Sequence, residues 1–501
     1  MRKIPTTMVS QHPDHANKPY WHDNEFISTN NESVECFLSY SDLGVSEYKW
    51  DWEGKLVDES VLERLLSEHF DYFKKNQIGR DIFLTFRLPN PKVETEFRLG
   101  RAFMGILSAA QLAKQVGLHF PPLFEVILPM TGSAEEMIEI QEAFAEIAQL
   151  KHKLYNFKNG SLKHIEVIPL FEQVEKVIDS DKILNNYVRL HEKKFGFTPS
   201  YIRPYVARSD PALNSGIVPT ILAIKIALSR YLEFSRKTGI ELYPIIGTGS
   251  LPFRGGLNPK TVNDFLEEYK GIRTALLQSA FRYDYGMDEV KRAIAKLENK
   301  LPEAEALSIT KTKEKNLRNV IAAFETFYRK TIEGVAPLVN EVATLLPKRR
   351  ERVQHIGLFG YSRGVGKVRL PRAIGFTGAL YSLGIPPELI GTGRGLREAR
   401  KVGVLSEVEK YYQGLRGDMI RAGAFLNKSV LMKLAKQNSS WGEILEDVRH
   451  VENFLGKDLL PRNIDEMAHG KLSETIFEKV KSGESSISEI AEAAALRKSL
   501  G

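Results

Sequence analysis

Five residues that could take part in catalysis each stand at the end of a short apolar run of the sequence. They are His12, Arg87, Glu172, Asp210 and Arg363. Carboxylates supply the oxygen ligands that Mg²⁺ and Mn²⁺ prefer, arginines bind phosphate and carboxylate groups, and a histidine can transfer protons near neutral pH. If one site collects these side chains, it suits a divalent metal ion and an anionic, phosphorylated substrate.

The short apolar runs of the sequence predict the fold. Eight runs, among them the five that end in these residues, have the composition of buried strands, and helix-like stretches separate most of them, which is typical of parallel βα units. In an α/β protein built as a (β/α)8 barrel, or TIM barrel, the carboxyl ends of all strands open on one face, where the active site lies. We therefore expect such a barrel. The predicted strands are Thr7–His12, Asp81–Pro89, Phe124–Thr131, His164–Glu172, Tyr201–Asp210, Ile240–Gly249, Thr274–Arg282 and Val353–Arg363; Arg282 is a further candidate at a strand end.

The chain has 501 residues, whereas a barrel alone needs about 250. Segment 287–352 is rich in Glu, Lys, Ala and Leu and predicts a helical insertion. Residues 364–501 predict a mostly helical carboxyl-terminal region. Because no segment resembles a flexible linker, we expect a single elaborated barrel domain over residues 1–501.

Charge and cysteine content argue against several classes of protein. Lysine and arginine number 70 against 63 acidic residues, a net charge of +7 that is mild for this length. The densest basic run, residues 348–350, is expected to be a solvated helix end, so nucleic acid is not an expected partner. Cys36 is the only cysteine, which excludes an intramolecular disulfide and a cysteine-based metal cluster.

The sequence shows no sign of membrane insertion or secretion. No segment has the run of about 20 apolar residues that a membrane span needs. The amino-terminal residues lack the apolar core of a signal peptide. We expect a cytoplasmic protein that does not bind a membrane.

Glu172 and Asp210 are the candidate metal ligands. Each carboxylate follows an apolar strand, and a pair on adjacent strands suits Mg²⁺ or Mn²⁺, which retain water molecules that a substrate can replace. The alternative is that each carboxylate pairs with a neighbouring arginine, such as Arg203 or Arg208. The pattern alone leaves both interpretations open.

A glycine-rich stretch after the sixth predicted strand is a candidate anion site. Its glycines are Gly247, Gly249, Gly255 and Gly256. Their backbone N–H groups could approach an oxyanion, and Arg254 supplies a fork of donors suited to phosphate or carboxylate. The alternative is an ordinary turn with surface ion pairs.

Further cations complete the predicted anion site. Segment 362–372 combines glycines with Arg363 and Arg372 but lacks the spacing of a nucleotide-binding P-loop. Arg87 ends the second predicted strand. His12 lies beside Pro13 and could move protons, although a lone histidine before proline is more often structural.

Together these segments resemble archaeal-type phosphoenolpyruvate carboxylase over nearly the whole chain. Weaker similarity to the longer bacterial and plant enzymes appears in the same order. The motifs are Ile4-Pro5 with Met8 and Ser10-Gln11-His12-Pro13-Asp14, Trp50-Asp51, Glu53-Gly54-Lys55, Val57-Asp58, Pro169-Leu170-Phe171-Glu172, Ser209-Asp210, the 247–256 loop and Arg372-Ala373-Ile374.

The resemblance implies a lyase of carbon dioxide fixation (EC 4.1.1.31 type), acting on phosphoenolpyruvate and bicarbonate. The products would be oxaloacetate and inorganic phosphate, formed through carboxyphosphate and a metal-stabilised enolate. It also implies a homotetramer and a cofactor, Mg²⁺ or Mn²⁺, held by Glu172 and Asp210. The residues expected to bind phosphate, carboxylate or bicarbonate are Arg87, Arg254, Arg363 and Arg372, and His12 would serve the carboxyl-transfer step.

The sequence departs from that of the longer enzymes at two positions. Thr248 stands where the longer enzymes place an arginine, and Leu213 stands where they place a lysine.

The nearest alternative function is that of another Mg²⁺-dependent phosphoenolpyruvate or oxaloacetate enzyme on the same barrel, either mutase-like or lyase-like. A second alternative, a non-catalytic nucleic-acid-binding barrel, is suggested only by the basic balance of charge.

Overall fold

The computed structural model describes residues 3–94, 97–150, 162–351, 364–365 and 368–501. Its strands are short and mostly buried. In chain order they are β1 (Thr7–Ser10), β2 (Glu47–Asp51), β3 (Phe83–Arg87), β4 (Glu125–Leu128), β5 (Glu166–Phe171), β6 (Tyr201–Ile202), β7 (Tyr205–Val206), β8 (Glu241–Leu242), β9 (Ile245–Ile246), β10 (Thr274–Leu277), β11 (Gly364–Val365) and β12 (Val368–Arg369).

Eight parallel strands close into a barrel, which confirms the predicted fold class. Around the barrel their order is β1, β2, β3, β4, β5, β7, β9 and β10, and β10 pairs with β1 to complete the ring. The short strands β6 and β8 pair with each other outside the ring. In both of those chain segments a proline, Pro204 or Pro244, separates the outer strand from the barrel strand, because proline has no N–H group for a sheet.

One barrel strand was assigned wrongly from the sequence. The ring is completed by β2, which was not predicted as a strand, and not by the predicted run Val353–Arg363, which lies outside the described residues. Strand β2 was missed because its residues alternate between apolar and charged side chains that are all buried. Tyr48 and Trp50 join the apolar layer beneath the helices, whereas the residues between them, Glu47, Lys49 and Asp51, are charged and buried.

Helices follow most of the strands and continue through the segments predicted to be helical. They are α1 (Glu32–Ser41), α2 (Val61–Lys75), α3 (Arg98–Gln115), α4 (Ala134–Ala148), α5 (Val174–Ile178), α6 (Ser180–Phe195), α7 (Ser209–Ser215), α8 (Ile217–Thr238), α9 (Val262–Glu268), α10 (Ser279–Tyr283), α11 (Met287–Lys300), α12 (Lys311–Thr344), α13 (Ala373–Ser382), α14 (Thr392–Lys401), α15 (Leu405–Tyr411), α16 (Leu415–Gly423), α17 (Lys428–Ala435), α18 (Ser439–Leu455), α19 (Ile464–Ser482) and α20 (Ile487–Arg497). In the described part of the chain, no helix is both long and apolar enough to cross a membrane. The assignment of the whole chain to one domain stays a prediction.

Apolar side chains form two layers around the strands. An inner cluster fills the middle of the barrel, and a larger outer cluster joins the strands to the helices. The inner cluster consists of Met8, Ile127, Ile168, Leu170, Tyr205, Ala207, Ile245 and Leu276. Because side chains alternate along a strand, those that face the barrel interior and those that face the helices fall into different layers.

A buried ionic network closes the amino-terminal end of the barrel. Arg203 donates through Nη2 to Glu47 Oε2 at 2.6 Å and through Nη1 to Glu125 Oε2 at 2.7 Å. Glu47 begins β2 and Glu125 begins β4, so the arginine connects two strands across the barrel. Its side chain is fully buried. Such a charge is tolerated because two carboxylates offset it and accept its hydrogen bonds.

Replacing Arg203 with methionine should destabilise the fold, because Glu47 and Glu125 would remain buried without their cation. Breaking a buried ionic network costs about 3–5 kcal/mol, measurable as a lower free energy of unfolding in urea. The matched control is Arg236→Met, which removes an ion pair with Glu305 whose side chains are 62% and 66% exposed. That change should cost less than about 1 kcal/mol. Equal losses in the two variants would contradict the assigned role of the network.

Candidate active site

A cavity of about 1000 Å³ opens at the carboxyl-terminal end of the barrel. It collects most of the residues that the sequence singled out. Those that line it are His12, Arg87, Glu172, Asp210, Gly247, Arg254 and Arg372. Arg363 lies outside the described residues. The strands bring these side chains together because the carboxyl ends of parallel strands share one face of the barrel.

The two candidate metal ligands follow neighbouring strands of the barrel. Glu172 directly follows β5, and Asp210 stands in the first turn of α7, shortly after β7; β5 and β7 pair in the barrel. The backbone N–H of Met130 donates to Glu172 Oε2 at 2.9 Å. Burial raises the pKa of Tyr205, and among the surrounding charges those of Glu172 and Asp210 raise it further. Both carboxylates therefore act on the same part of the cavity.

The two arginines proposed as alternative partners of these carboxylates have other roles. Arg203 is bound to the glutamates at the far end of the barrel. Arg208 donates to the carbonyl oxygens of Phe253 at 3.1 Å and Pro252 at 3.2 Å, and to the Tyr269 hydroxyl at 3.0 Å. The sequence did not reveal that Arg208 anchors the loop that carries Arg254.

The carboxylate pair fits a divalent cation by its chemistry. The described residues contain no group of three or more His, Cys, Asp or Glu side chains that could hold a metal ion. A set of only two carboxylates suits Mg²⁺, which keeps several water ligands and shares its remaining positions with a substrate.

Arg254 is buried and held from several sides. Its Nη1 lies 3.3 Å from Asp14 Oδ2 and 2.5 Å from the carbonyl oxygen of Gly501, and its Nη2 donates to Gln278 Oε1. Its Nε donates to the Ser209 hydroxyl at 3.3 Å. Burial lowers the pKa of Arg254, and the nearby Asp14 and Asp210 charges oppose that effect. The guanidinium is thus fixed in place before any substrate binds.

Asp14 was quoted in the amino-terminal motif but not recognised as part of the site. Its Oδ1 accepts a hydrogen bond from the Ala280 N–H at 2.7 Å and lies 3.1 Å from the Ser279 hydroxyl oxygen. Its Oδ2 faces Arg254. Asp14 therefore ties the segment after β1 to the segment after β10 and orients an arginine of the cavity.

The glycines of segment 247–256 serve close packing. The N–H groups of Gly247, Gly249, Gly255 and Gly256 donate to the carbonyl oxygens of Val206, Arg254, Pro252 and Leu251. A Cβ atom at Gly249 would lie 3.0 Å from the Arg254 guanidinium, and Gly255 has a φ of +125°. The structure thus commits these N–H groups to the protein itself and leaves anion contacts to side chains, in contrast to the expected use of the glycines.

Strands β2 and β3 contribute a further cluster of charged side chains to the cavity. Arg87 Nε lies 2.7 Å from Asp51 Oδ1, and its Nη1 contacts Glu53. Lys49 Nζ lies 3.0 Å from the same Asp51 oxygen. Lys49 also lines the cavity, but it was missed because β2 was not recognised as a strand.

His12 follows the end of β1 by two residues and lines the cavity. Its Nδ1 lies 2.9 Å from the Ser10 hydroxyl oxygen. Its backbone carbonyl accepts a hydrogen bond from the Ser279 hydroxyl at 2.7 Å. These contacts fix both the ring and the backbone of the histidine at the cavity.

The basic run 348–350 is not a solvated helix end, and that expectation is wrong for two of its three residues. Arg349 is buried and donates to the carbonyl oxygens of His15 at 3.1 Å and Ala16 at 2.9 Å. Arg350 is buried and forms ion pairs with Glu32 and Glu35. The whole run lines the cavity. Its burial depends on partners more than 300 positions away, which no local pattern reveals.

Arg282, the further arginine predicted at a strand end, also belongs to this buried ionic cluster. Its side chain is fully buried, and Nη1 lies 3.1 Å from Glu35 Oε1. It is not among the residues that line the cavity. The described structure therefore gives Arg282 a structural position beneath the site.

Comparison with known proteins identifies the family. The family model described as phosphoenolpyruvate carboxylase matches residues 4–501. A protein named phosphoenolpyruvate carboxylase from Leuconostoc mesenteroides subsp. mesenteroides is 41% identical over 474 residues, which cover 94% of each chain. One of the same name from Metallosphaera sedula is 37% identical over 529 residues, with full coverage of both chains. The chain belongs to the phosphoenolpyruvate carboxylase family, which confirms the resemblance drawn from its motifs.

Substituting Asp14 with asparagine should slow turnover by misplacing Arg254. An amide can still accept the Ala280 hydrogen bond, but it carries no charge to hold the guanidinium. Misplacement of a catalytic group by about 1 Å can cost about 100-fold in rate, and we expect a loss of kcat of this order with phosphoenolpyruvate and bicarbonate.

The control for this variant is Asp284→Asn. Asp284 is also buried nearby, and burial raises its pKa to about 7. Near neutral pH this carboxyl group is therefore already partly protonated and neutral, and the neutral amide of asparagine resembles that protonated form. It binds the backbone N–H groups of Ala16 and Asn17 and does not line the cavity. Its kcat should stay near that of the wild type. An unchanged kcat in Asp14→Asn would contradict the positioning role.

Proposed function

We propose that the protein carboxylates phosphoenolpyruvate with bicarbonate to give oxaloacetate and inorganic phosphate. The observation that carries this proposal is the family match, which extends over residues 4–501. The cavity supports it with two carboxylates, several arginines and a histidine at the barrel mouth. In such a reaction bicarbonate attacks the phosphorus atom, forming carboxyphosphate and the enolate of pyruvate.

The arginines of the cavity would bind the anionic substrates and offset the charge that gathers during phosphoryl transfer. Arg254 and Arg87 are both buried and fixed by carboxylates, so that little reorganisation is needed when charge develops. Arg372, at the start of α13, adds a third cation from the carboxyl-terminal region. The role predicted for Arg363 stays a prediction.

Glu172 and Asp210 would hold Mg²⁺ or Mn²⁺. When bound, the cation would neutralise negative charge on phosphoenolpyruvate and on the products formed from it. Glu172 is oriented for this role by the hydrogen bond from the Met130 N–H.

His12 would serve the carboxyl-transfer step as a base. If its Nδ1–H donates to the Ser10 hydroxyl oxygen, the proton-accepting atom is Nε2. There it would take the proton of carboxyphosphate, whose breakdown releases CO₂ and phosphate. The enolate would then attack CO₂.

Apolar side chains from outside the barrel, here called the roof, line part of the cavity and would help to keep water from the enolate. Protonation by water would divert the enolate to pyruvate, so the site has to exclude bulk solvent. The roof is contributed by segments outside the barrel. Its apolar members are Phe26, Ala343, Leu346, Ile374 and Leu500.

A coupled assay tests the proposed function. The purified protein is supplied with phosphoenolpyruvate, Mg²⁺ and bicarbonate, oxaloacetate is reported by malate dehydrogenase and NADH, and phosphate is measured in parallel. Equal, bicarbonate-dependent yields of the two products are expected. A mutase-like or lyase-like enzyme would show no bicarbonate requirement coupled to phosphate release.

Glu172→Gln and Asp210→Asn should each weaken metal binding and abolish most activity, because each change removes a charged ligand. Mn²⁺ binding, followed by electron paramagnetic resonance, measures the first effect independently of turnover. The matched control is Glu175→Gln, an exposed residue in the following helix. Wild-type Mn²⁺ affinity in both site variants would rule out the metal assignment.

His12→Asn should separate the two halves of the reaction. The asparagine cannot accept the carboxyphosphate proton, so oxaloacetate formation should fall while some bicarbonate-dependent phosphate release survives. General acid–base catalysis contributes roughly 10²–10⁴-fold, and the loss of oxaloacetate should lie in this range. His22→Asn, a change outside the cavity, should leave both products unchanged. Oxaloacetate formed by His12→Asn at the wild-type rate would exclude His12 as the base.

The predicted homotetramer stays a prediction. Three exposed apolar side chains near the start of α19 offer surface that a subunit contact could cover. They are Leu460 (56% exposed), Ile464 (78%) and Met467 (52%).

A further inference from the structure

Lys49 occupies an unusual position at the floor of the cavity. It is the middle of three inward-facing charged residues on β2, between Glu47 below and Asp51 above. The apolar residues lining the cavity at this depth are Leu170, Tyr205 and Leu276, which belong to the inner core of the barrel. A lysine side chain that is 1% exposed thus lines the same cavity as residues of the inner core.

The ammonium of Lys49 has more donors than the protein satisfies. An ammonium carries three N–H donors, and Asp51 Oδ1, at 3.0 Å, is its single ion-pair partner among the described residues. No described acceptor forms a well-directed hydrogen bond with Nζ. Burying a cation with unsatisfied donors is unfavourable unless an anion completes its surroundings.

Asp51 is itself shared between two cations. The oxygen that lies near Lys49 also lies 2.7 Å from Arg87 Nε. Glu53 contacts Arg87 rather than Lys49. Lys49 therefore shares its carboxylate oxygen with Arg87 and has no ion-pair partner of its own among the described residues.

Lys49 remains protonated near neutral pH. Its pKa is lowered to about 8 by burial and by the Arg87 charge together, against the Asp51 and Glu53 charges, which raise it. At pH 7 the side chain is therefore still mainly an ammonium ion, able to bind an anion.

We propose that Lys49 is a catalytic residue that binds bicarbonate at the floor of the cavity. The inference rests on the proposed function, in which bicarbonate and phosphoenolpyruvate occupy the site together. A small, planar oxyanion is the ligand that an apolar floor with one cation and few other donors can accept. The larger phosphoenolpyruvate would stay nearer the mouth.

The order of the strands favours bicarbonate over phosphoenolpyruvate as the partner of Lys49. The carboxylates Glu172 and Asp210 follow β5 and β7, whereas Lys49 lies on β2, on the other side of the ring. Within the ring, Lys49 pairs in register with Ser10 of β1, and Ser10 contacts His12. A bicarbonate held by Lys49 would therefore lie on the side of the cavity that carries the base for carboxyphosphate breakdown.

Lys49→Met tests the inference, because methionine preserves much of the side-chain volume without its charge. Asp51 would keep Arg87 as a partner, so the change does not leave that carboxylate without a cation. Loss of a buried, charge-assisted hydrogen bond should raise the KM for bicarbonate by roughly 10- to 100-fold. The KM for phosphoenolpyruvate should change by less than about twofold, because this substrate would keep its arginines and metal.

Two further variants separate binding from folding. Lys225→Met removes another buried lysine, which pairs with Glu268 at 2.8 Å away from the cavity; it should lower the melting temperature without changing the KM for bicarbonate. Lys49→Gln provides a second neutral variant if the methionine variant does not fold. Lys49→Arg retains the charge, and its KM for bicarbonate should lie closer to that of the wild type than either neutral variant.

The possible outcomes are distinct. A neutral variant with an unchanged KM for bicarbonate, or with equal increases in both KM values, would overturn the assignment of Lys49 while leaving the proposed function intact. A wild-type protein without bicarbonate-dependent carboxylation would overturn the function and this inference together. A selective rise in the KM for bicarbonate would support the assignment.

Discussion

Buried charge inside the barrel is the constraint on which the arrangement of the molecule depends. A charged side chain is tolerated there only when an opposite charge and hydrogen bonds accompany it. At the amino-terminal end, Arg203 meets Glu47 and Glu125. At the carboxyl-terminal end, Asp51 is shared by Lys49 and Arg87. An apolar layer separates these two sets of charges, so each set has to be neutralised locally.

Buried charges are offset differently at the two ends of the barrel. The difference distinguishes a structural network from a reactive site. At the closed end, Arg203 forms ion pairs with two glutamates of the barrel strands. The open end holds cations that share a carboxylate, as Lys49 and Arg87 share Asp51, or that add a neutral acceptor to an ion pair, as Arg254 adds Gln278 to Asp14. Buried cationic donors that share their acceptors are unfavourable by themselves, but they match substrates that bring several negative charges. Fixed donors of this kind also stabilise developing charge without having to move.

The sequence revealed those features that local patterns encode. Glu172 and Asp210 were found because each follows an apolar run. Strand β2 was missed because its inward residues are charged and therefore reverse the usual apolar signal. The burial of Arg350 was missed because its glutamate partners lie far away in the sequence. Where long-range ion pairing overrides local polarity, sequence patterns mislead.

The same reasoning explains why this barrel is elaborated beyond its eight strands. A barrel mouth is open to water, and water weakens every electrostatic contact in the site. Here α12, α13 and the residues after α20 supply apolar side chains to the cavity wall, while Leu500 N–H donates to the Asp14 carbonyl oxygen at 2.7 Å. The carboxyl-terminal residues are thus tied to the segment that carries His12. Because the roof and the reactive end of the barrel share hydrogen bonds, a displacement of one would disturb the other, which couples the exclusion of water to the placement of the catalytic groups.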